Sequence, residues 1–467
     1  MKRVAIIGGG LSGLAAAYQL AQESGVEFTL FEASKRLGGT VETVHRDGFV
    51  IECGPDSWVT EKPWARDLAV ELGLEAEIIA SNDRWRRTYL LENNRLVPMP
   101  DGMRMMVPTR WAPIMESPLF SWQAKLAYLR EARLREELKQ SALADSEDES
   151  VASFVRRHFG DEVAGTIAGP LLSGVFGGSI DALSVRAVMP AFVKLEKEHG
   201  SLIAGLQQRQ EAGSAAVFTS LKPGLGTLIE RVAHALPGNA VRLEHEVRSF
   251  LPQDGQWRIE ASGAKDLFDA VIVATPAHVT RRLLGPVSGQ FDDLLTMDAS
   301  SAIVVALAFS AERARHLRIP RGFGYLVPQK TTAGRRLEDN PPLLACTFVD
   351  QKFSCRAPDG AVLLRGFFGG DAAPALLHES DSALISLAHR QLSRALGQLP
   401  EPDISLVRRW PLSLPQYAVG HLDRMARLAE AVTGFPGLYL VGNAYYGVGL
   451  PDLVRQGREV ARQAARE

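Results

Sequence analysis

Cysteine is scarce in this chain, and so is any excess of charge. Cys53, Cys346 and Cys355 are the only three cysteines in 467 residues, they form no CxxC pair, and their number is odd. That excludes a disulfide framework and a thiolate metal site, and it fits a reducing compartment, so a cytoplasmic location is expected. Lys and Arg number 52 against 54 Asp and Glu, a formal charge of −2. No global field therefore draws the chain to nucleic acid, and an anionic ligand must be met by local basic residues. Long apolar runs are missing as well. The longest, Ala302 to Phe309, has eight residues, whereas about 20 are needed to cross a bilayer. Met1-Lys2-Arg3 runs straight into Val4-Ala5-Ile6-Ile7, with neither the span nor the cleavage site of a signal peptide. No internal repeat or low-complexity tract is visible. The chain is expected to be soluble, with peripheral membrane contact left open.

What is present is a globular balance of 46% hydrophobic and 23% charged residues, over a length that calls for two or three packed units. Strand-like Val4 to Ile7, a glycine turn, helix-like Leu14 to Glu23 and strand-like Glu27 to Phe31 open a βαβ unit. Short strands and turns are expected from Thr88 to Pro100, then mostly helix from Met103 to about Gly213. Within that stretch Trp122, Leu126, Leu129, Leu134 and Leu138 recur near helical spacing and read as one amphipathic helix, closed by an acidic linker from Asp145 to Glu149. Ser150 is expected to cap a helix over Val151 to His158. Thr227 to Leu236 reads as a helix, and Val241 to Phe250, Trp257 to Ala261 and Ala270 to Ala274 read as strands. Ala302 to Phe309, Leu343 to Val349 and Val362 to Phe368 read as strands of a second sheet, and Ser382 to Leu396 as a helix. The strand Leu438 to Val441 and a helix over Pro451 to Ala465 echo the opening unit.

The fold class expected is α/β. A doubly wound, Rossmann-like cofactor domain (residues 1–85, 217–280 and 430–467) carries two insertions: an α+β substrate domain (86–102 and 281–429) and a helical domain (103–216).

Gly8, Gly10 and Gly13 form GxGxxG between strand and helix, and Glu32 ends the next strand 19 residues after Gly13. The first glycine allows the tight turn, the second lets backbone approach a pyrophosphate, and the third lets helix pack on strand. The helix N-terminus from Leu11 and Ser12 offers amides and dipole to phosphates, while the Glu32 carboxylate can accept from ribose hydroxyls. After Glu32, Ala33-Ser34-Lys35-Arg36-Leu37-Gly38-Gly39-Thr40 adds a basic residue and a second glycine turn. This resembles the extension of the amine-oxidase-like FAD superfamily, in which it wraps the pyrophosphate, so FAD is expected with Ala33, Arg36, Gly39 and Thr40 as contacts. Gly442-Asn443 after a strand, then Gly447-Val448-Gly449-Leu450-Pro451-Asp452 opening a helix, has the form of a flavin-ring site. Glycines admit the planar ring, and the helix N-terminus stabilises negative charge near flavin N1 and the C2 carbonyl. Val247 is a candidate adenine contact, with core packing an equally good reading. A second complete GxGxxG is lacking: Gly224-Leu225-Gly226 has no third glycine and is read as following no strand, which disfavours a pyridine-nucleotide reductase.

Four stretches narrow the superfamily. Gly54-Pro55-Asp56-Ser57, Leu172 to Gly178 with Leu183-Ser184, Trp410 with Pro415-Gln416-Tyr417 and Gly420-His421, and Gly447 to Asp452 occur in that order. Together they resemble the protoporphyrinogen and coproporphyrinogen oxidase family along nearly the whole chain. The resemblance implies noncovalent FAD and a porphyrinogen substrate that loses six electrons in three two-electron steps. In each, a hydride passes from a methylene bridge to flavin N5, and O2 reoxidises the flavin with release of hydrogen peroxide. No catalytic residue is assigned, because a pyrrole proton can leave to solvent or a carbonyl, so the protein chiefly orients ring against ring.

The resemblance also places Gly54, Pro55, Asp56, Ser57 and Trp410 beside the flavin and Arg87, Asp56 and Tyr417 at the substrate. A plain ion pair at Arg87 is the competing reading, and His421 is read as ordering its loop. Cys53 and Asn443 depart from the family pattern, Cys53 being read as a buried thiol. The soluble, coproporphyrinogen-using type is favoured, with protoporphyrinogen IX the alternative. Transient contact with other haem-synthesis enzymes is left open. The rivals are another flavin oxidase or desaturase of this fold, and a non-catalytic flavin-binding partner in haem synthesis.

Overall fold

In the computed structural model, residues 1–144, 147–208, 216–328 and 342–467 are described. The chain divides into two compact units, one built from Met1–Ser81, Ala216–Asp298 and Asp423–Glu467, the other from Asn82–Ala215 and Ala299–Leu422.

The first unit is organised by five parallel strands. In chain order these are β1 (Lys2–Ile7), β2 (Val26–Phe31), β3 (Val241–Arg242), β4 (Ala270–Val273) and β5 (Leu438–Leu440), arranged β3-β2-β1-β4-β5. Two helices begin beyond the carboxyl ends of these strands, α1 (Leu11–Leu20) after β1 and α2 (Leu450–Arg466) after β5. Alternation along β1 sorts its side chains onto two faces. Val4 and Ile6 join the core that holds Leu14, Ala17, Leu30, Ile272 and Val454, whereas Ala5 and Ile7 join Phe31, Val273, Phe250 and Trp257. All of these are buried, and each large aliphatic side chain contributes about 1.5–3 kcal/mol. The second face is covered by an antiparallel meander, Val247–Gln253, Gln256–Ala261 and Ala264–Phe268. After β1 the chain turns outward to β2, and after β4 it continues to β5, so strand order reverses between β1 and β4. In open α/β sheets that reversal, at the carboxyl ends of the strands, is where ligands bind.

The second unit contains a seven-stranded sheet in the order Ile404–Pro415, Ala299–Phe309, Val362–Phe368, Leu343–Phe348, Gly324–Leu326, Thr88–Glu92, Arg95–Pro98. Its buried face packs on the helix Asp381–Leu396. Among the described residues between Trp111 and Gln208, helices predominate.

Several elements differ from expectation. Val241 to Phe250 is not one strand: β3 and Val247–Gln253 belong to different sheets, separated by a reversal at Glu244, whose φ is 57°. Gly224 does follow a strand, Phe218–Leu221, but that strand is antiparallel to its neighbours Trp58–Val59 and Ile78–Ala80 and so forms no dinucleotide βα unit. The expected single helix around Trp122 is two, Trp122–Arg133 and Arg135–Gln140, broken at Leu134. Trp122 and Leu126 face outward, 72% and 60% exposed, because the buried face is taken by Ala124, Lys125, Tyr128 and Glu131. Of the acidic linker, Asp145 and Ser146 lie outside the described residues, as does the end of the helical stretch at Gly213, while Glu149 pairs with Arg157. Ser150 caps its helix, which is broken at Gly160 (φ 83°, ψ 175°), close to the expected end at His158.

Glu131 is buried for a reason. His158 directs Nδ1 to Glu131 Oε1 at 3.1 Å and Nε2 to Glu196 Oε1 at 3.0 Å, with its side chain fully enclosed. Carboxylates only accept, so the ring can donate to both at once only as an imidazolium. Burial alone disfavours that cation, but the hydrogen bonds and charges of Glu131 and Glu196 prevail and raise its pKa. Arg157, on Glu196 and Glu149, and Ser201, on Glu131, complete the cluster.

A raised folded pKa means that this stabilisation is complete below the unfolded value of about 6.5 and is lost as pH rises through the folded value. Thermal denaturation across that range should show wild type losing stability toward alkaline pH. His158→Gln should be less stable at the acid end and lack this slope; parallel profiles would contradict the assignment.

Candidate cofactor and substrate site

The carboxyl end of β1 enters a turn that only glycine can make. Gly8 has φ 109°, and a Cβ there would meet the Ala274 carbonyl oxygen at 2.6 Å. Gly13 has an ordinary helical place, yet a Cβ would lie 2.0 Å from the Gly8 carbonyl oxygen, so α1 presses directly on the end of β1. Gly10 is different: nothing lies within 4 Å of a Cβ built there. The space over the start of α1 is open, and the helix has no side-chain cap, so its first amides from Leu11 and Ser12 keep their dipole end available. An open cradle of this kind, ringed by backbone donors, fits a pyrophosphate.

Glu32 stands beside it. Its Oε2 accepts from Gly9 N at 2.7 Å and its Oε1 from Ser34 N at 2.8 Å, which aims the carboxylate while leaving lone pairs for hydroxyl donors. Arg36 spends its guanidinium on the carbonyls of Leu37 (3.1 Å), Val41 (3.2 Å) and Gly39, and pairs with Glu42 at 3.7 Å. It therefore staples the second glycine turn. That turn bridges back to the first, Gly38 pairing with Gly10 and Gly38 N donating to Gly9 O at 2.8 Å, and leaves Ala33, Gly39 and Thr40 at the rim. Gly54 packs against Thr40, whose carbonyl oxygen would be 1.9 Å from a Cβ. Asp56 accepts from Ser57 Oγ at 2.7 Å and, through its backbone oxygen, from Ser220 Oγ at 2.7 Å. Cys53 is fully buried, its thiol directed to the Ile51 carbonyl at 3.8 Å. Val247 is buried in the core behind Phe31.

At the other end of the unit, Gly442 (φ 148°) and Gly447 (φ 117°) turn the chain from β5 into α2 past Asn443. Gly449 is the N-cap of α2 and supplies no side-chain cap, so this helix too begins with open amides at Val448, Gly449 and Leu450. The two helices are locked together at Gly457, where a Cβ would fall 2.4 Å from the Ser12 carbonyl oxygen. The first unit thus brings the GxGxxG turn, Glu32, the Gly39 turn, Gly54 and the Gly447 turn into one body.

Three expected residues lie in the second unit. Arg87 is exposed just before the strand Thr88–Glu92, and no described residue pairs with its guanidinium. Its carbonyl accepts from Phe323 N at 2.8 Å, which brings Arg321 alongside. Arg84 and Arg321 flank the Trp85 ring at 5.5 and 5.3 Å, so two guanidinium groups stand beside the segment that carries Arg87. Tyr417 is buried, with its ring stacked on His421 at 3.9 Å and an interplanar angle of 12°, and His421 is buried with it. Trp410 sits opposite Ala302 on the strand Ile404–Pro415, next to a bulge. That strand and the one after Arg87 are five spacings apart in the sheet, about 24 Å, so Arg87 and Tyr417 serve different ends of it.

Sequence reasoning missed Glu52, Lys62, Arg321 and Gly457. Glu52 is fully buried and accepts from Thr43 Oγ1 at 2.6 Å and Leu225 N at 2.7 Å, tying the hairpin to the middle segment. Its partner Leu225, like the partner of Lys62, is distant in sequence, so no spacing pattern announces it. Gly457 interrupts a helical pattern, and an interior helical glycine is itself a signal of close packing.

Comparison with known proteins agrees with this geometry. Residues 11–465 match the family described as flavin containing amine oxidoreductase. The chain is 33% identical to coproporphyrinogen III oxidase of Bacillus subtilis (strain 168) over 480 residues, covering 99% of this chain and 98% of that one. It is 31% identical to coproporphyrinogen III oxidase of Staphylococcus aureus (strain NCTC 8325 / PS 47), covering 100% and 99%. A crystal structure from Exiguobacterium sp. 255-15 that carries a provisional protoporphyrinogen oxidase name superposes with a TM-score of 0.87 at 32% identity, covering 99% of this chain and 98% of that one. FAD is the cofactor, and the chain belongs to the flavin-containing amine oxidoreductases, among the porphyrinogen oxidases of that family.

Proposed function

We propose that this protein is an oxygen-dependent coproporphyrinogen III oxidase of haem synthesis, working in the cytoplasm with noncovalently held FAD. The observation that carries the reading is full-length similarity to proteins of that name together with an intact cofactor cradle. An open Gly10, an aimed Glu32 and two uncapped helix starts are what a working dinucleotide site requires, and they argue against a decayed, non-catalytic relative. No helix among the described residues is long and apolar enough to cross a membrane, which supports an enzyme that meets its substrate from solution.

A bound flavin supplies the two-electron acceptor for each methylene bridge, and O2 carries those electrons away as hydrogen peroxide. The chain's own residues bind and orient. The start of α1 and Glu32 hold the pyrophosphate and ribose. The Gly447–Leu450 turn would hold the flavin ring, where the start of α2 would stabilise the negative charge that accumulates on reduction. Asp56 and Tyr417 border the substrate, Trp410 borders the flavin, and Arg87 holds a propionate. Coproporphyrinogen has four propionates and protoporphyrinogen two, so the grouping of Arg84, Arg87 and Arg321 supports the former. The helical stretch Trp111–Gln208 is read as a third module within the second unit.

Purified protein is expected to be yellow and to release FAD on denaturation; colour remaining on the precipitated chain would refute the noncovalent reading of Cys53. Gly10→Val should fold with near-wild-type thermal stability but bind little FAD, because its Cβ enters the open cradle, while Gly13→Val should be destabilised outright by the Gly8 carbonyl. Absorbance at the flavin band and melting temperature separate the two effects.

A charge-assisted contact to a carboxylate is worth roughly 1.5–3 kcal/mol, so Arg87→Ala should lower kcat/KM for coproporphyrinogen about ten- to a hundredfold at unchanged FAD content. Arg87→Lys should recover only part, keeping charge without the planar fork. Parallel turnover with protoporphyrinogen IX tests the choice of substrate, and unchanged kcat/KM in the alanine variant would move the propionate site elsewhere.

A further inference from the structure

Lys62 and Asp452 are separated by 390 residues, yet Lys62 Nζ lies 2.8 and 2.7 Å from the two carboxylate oxygens of Asp452. Asp452 is in the first turn of α2, and its side chain is only 8% exposed. It fills the hollow of the preceding loop. A Cβ on Gly447 would come within 2.7 Å of Asp452 Cγ, and one on Gly449 within 3.1 Å of its Oδ2. An acidic residue in a helix's first turn is ordinarily a cap that accepts from backbone amides. Here no described amide donates to the carboxylate, and its partner among the described residues is the ammonium of Lys62. The pair therefore leaves the α2 amides open and leaves the loop with a carboxylate whose charge is cancelled from outside.

We propose that the Lys62–Asp452 ion pair is a positioning device that sets the charge at the flavin-ring end of the site: Asp452 shapes the Gly447–Gly449 loop, and Lys62 neutralises it. This rests on the reading of Gly447–Leu450 as the ring contact. Two-electron reduction with uptake of one proton leaves a bound flavin with one extra negative charge. With the carboxylate neutralised, the α2 dipole faces that charge unopposed. Without Lys62, a nearly buried anion stands at the same helix start and disfavours the reduced cofactor through a poorly screened interaction. Lys62 touches neither reacting atom, and its effect passes through Asp452.

The test is the flavin midpoint potential of the holoenzyme, measured by dye equilibration, with FAD content recorded for every variant. Lys62→Met should reduce the equilibrium fraction of reduced flavin about tenfold at fixed poise, about 30 mV for a two-electron couple. Lys62→Arg should restore the wild-type potential. The double variant Lys62→Met with Asp452→Asn should also return toward wild type, because it removes both charges, an outcome that a purely structural tether does not give. Should Lys62→Met fail to retain flavin, the arginine and double variants carry the comparison. Full FAD with an unchanged potential in Lys62→Met, or a double variant as low as the single one, overturns the inference and leaves the flavin reading intact. Absence of FAD from wild type would defeat the reading beneath it.

Discussion

The contact on which the rest depends is the one between the start of α1 and the end of β1. Gly13 lies so close to the Gly8 carbonyl that a single extra carbon would sit 2.0 Å from it. That closeness sets the axis of α1, and hence where its uncapped amides point. The same logic repeats one layer out. Gly457 allows α2 to reach the Ser12 carbonyl, so the second uncapped helix is indexed to the first. Two bare helix starts in one unit would be a liability in a protein with nothing to bind, since orphan amides need partners. In a flavoprotein they are suited to meet a cofactor's phosphates and ring. The cost of leaving them open is carried by tight glycine packing and by the buried core on both faces of the parallel sheet.

Charge is handled in three ways across the molecule. Glu32 is aimed by two backbone amides and stays half-buried at the cradle rim. Arg36, which the family resemblance places among the FAD contacts, is tied to carbonyls of its own turn and shapes it. The enclosed His158, Glu131 and Glu196 cluster is satisfied on every side and joins helices of the second unit. Around Arg84, Arg87 and Arg321 exposed cations gather with no ion pair among the described residues. An edge of that kind suits a ligand that brings several carboxylates.

How much of this was legible in the sequence depends on range. The βαβ opening, the GxGxxG turn, Glu32 and the strand-to-helix motif at Gly447 are local, and period and glycine spacing suffice to find them. Element boundaries agreed within a few residues for β1, β2, Val362–Phe368 and the helix Asp381–Leu396. The helix around Trp122 departs from its hydrophobic pattern for a physical reason: a buried salt-bridged Glu131 turns the apolar stripe outward, and no hydrophobic pattern encodes that. Val241 to Phe250 looked continuous because a reversal at a non-glycine residue leaves no composition signal. Lys62 with Asp452, and Glu52 with Leu225, are long-range pairs that only the folded chain brings together.

A porphyrinogen that delivers its electrons to a flavin in this cradle must reduce that flavin in the absence of O2. The direct measurement is anaerobic titration of the yellow holoenzyme with coproporphyrinogen III, following flavin bleaching and porphyrin appearance together. Stoichiometric bleaching is expected, with about three flavins reduced per porphyrin formed and colour restored by O2. Flavin that stays oxidised in the presence of porphyrinogen, yet bleaches with a simple amine or a pyridine nucleotide, would contradict it.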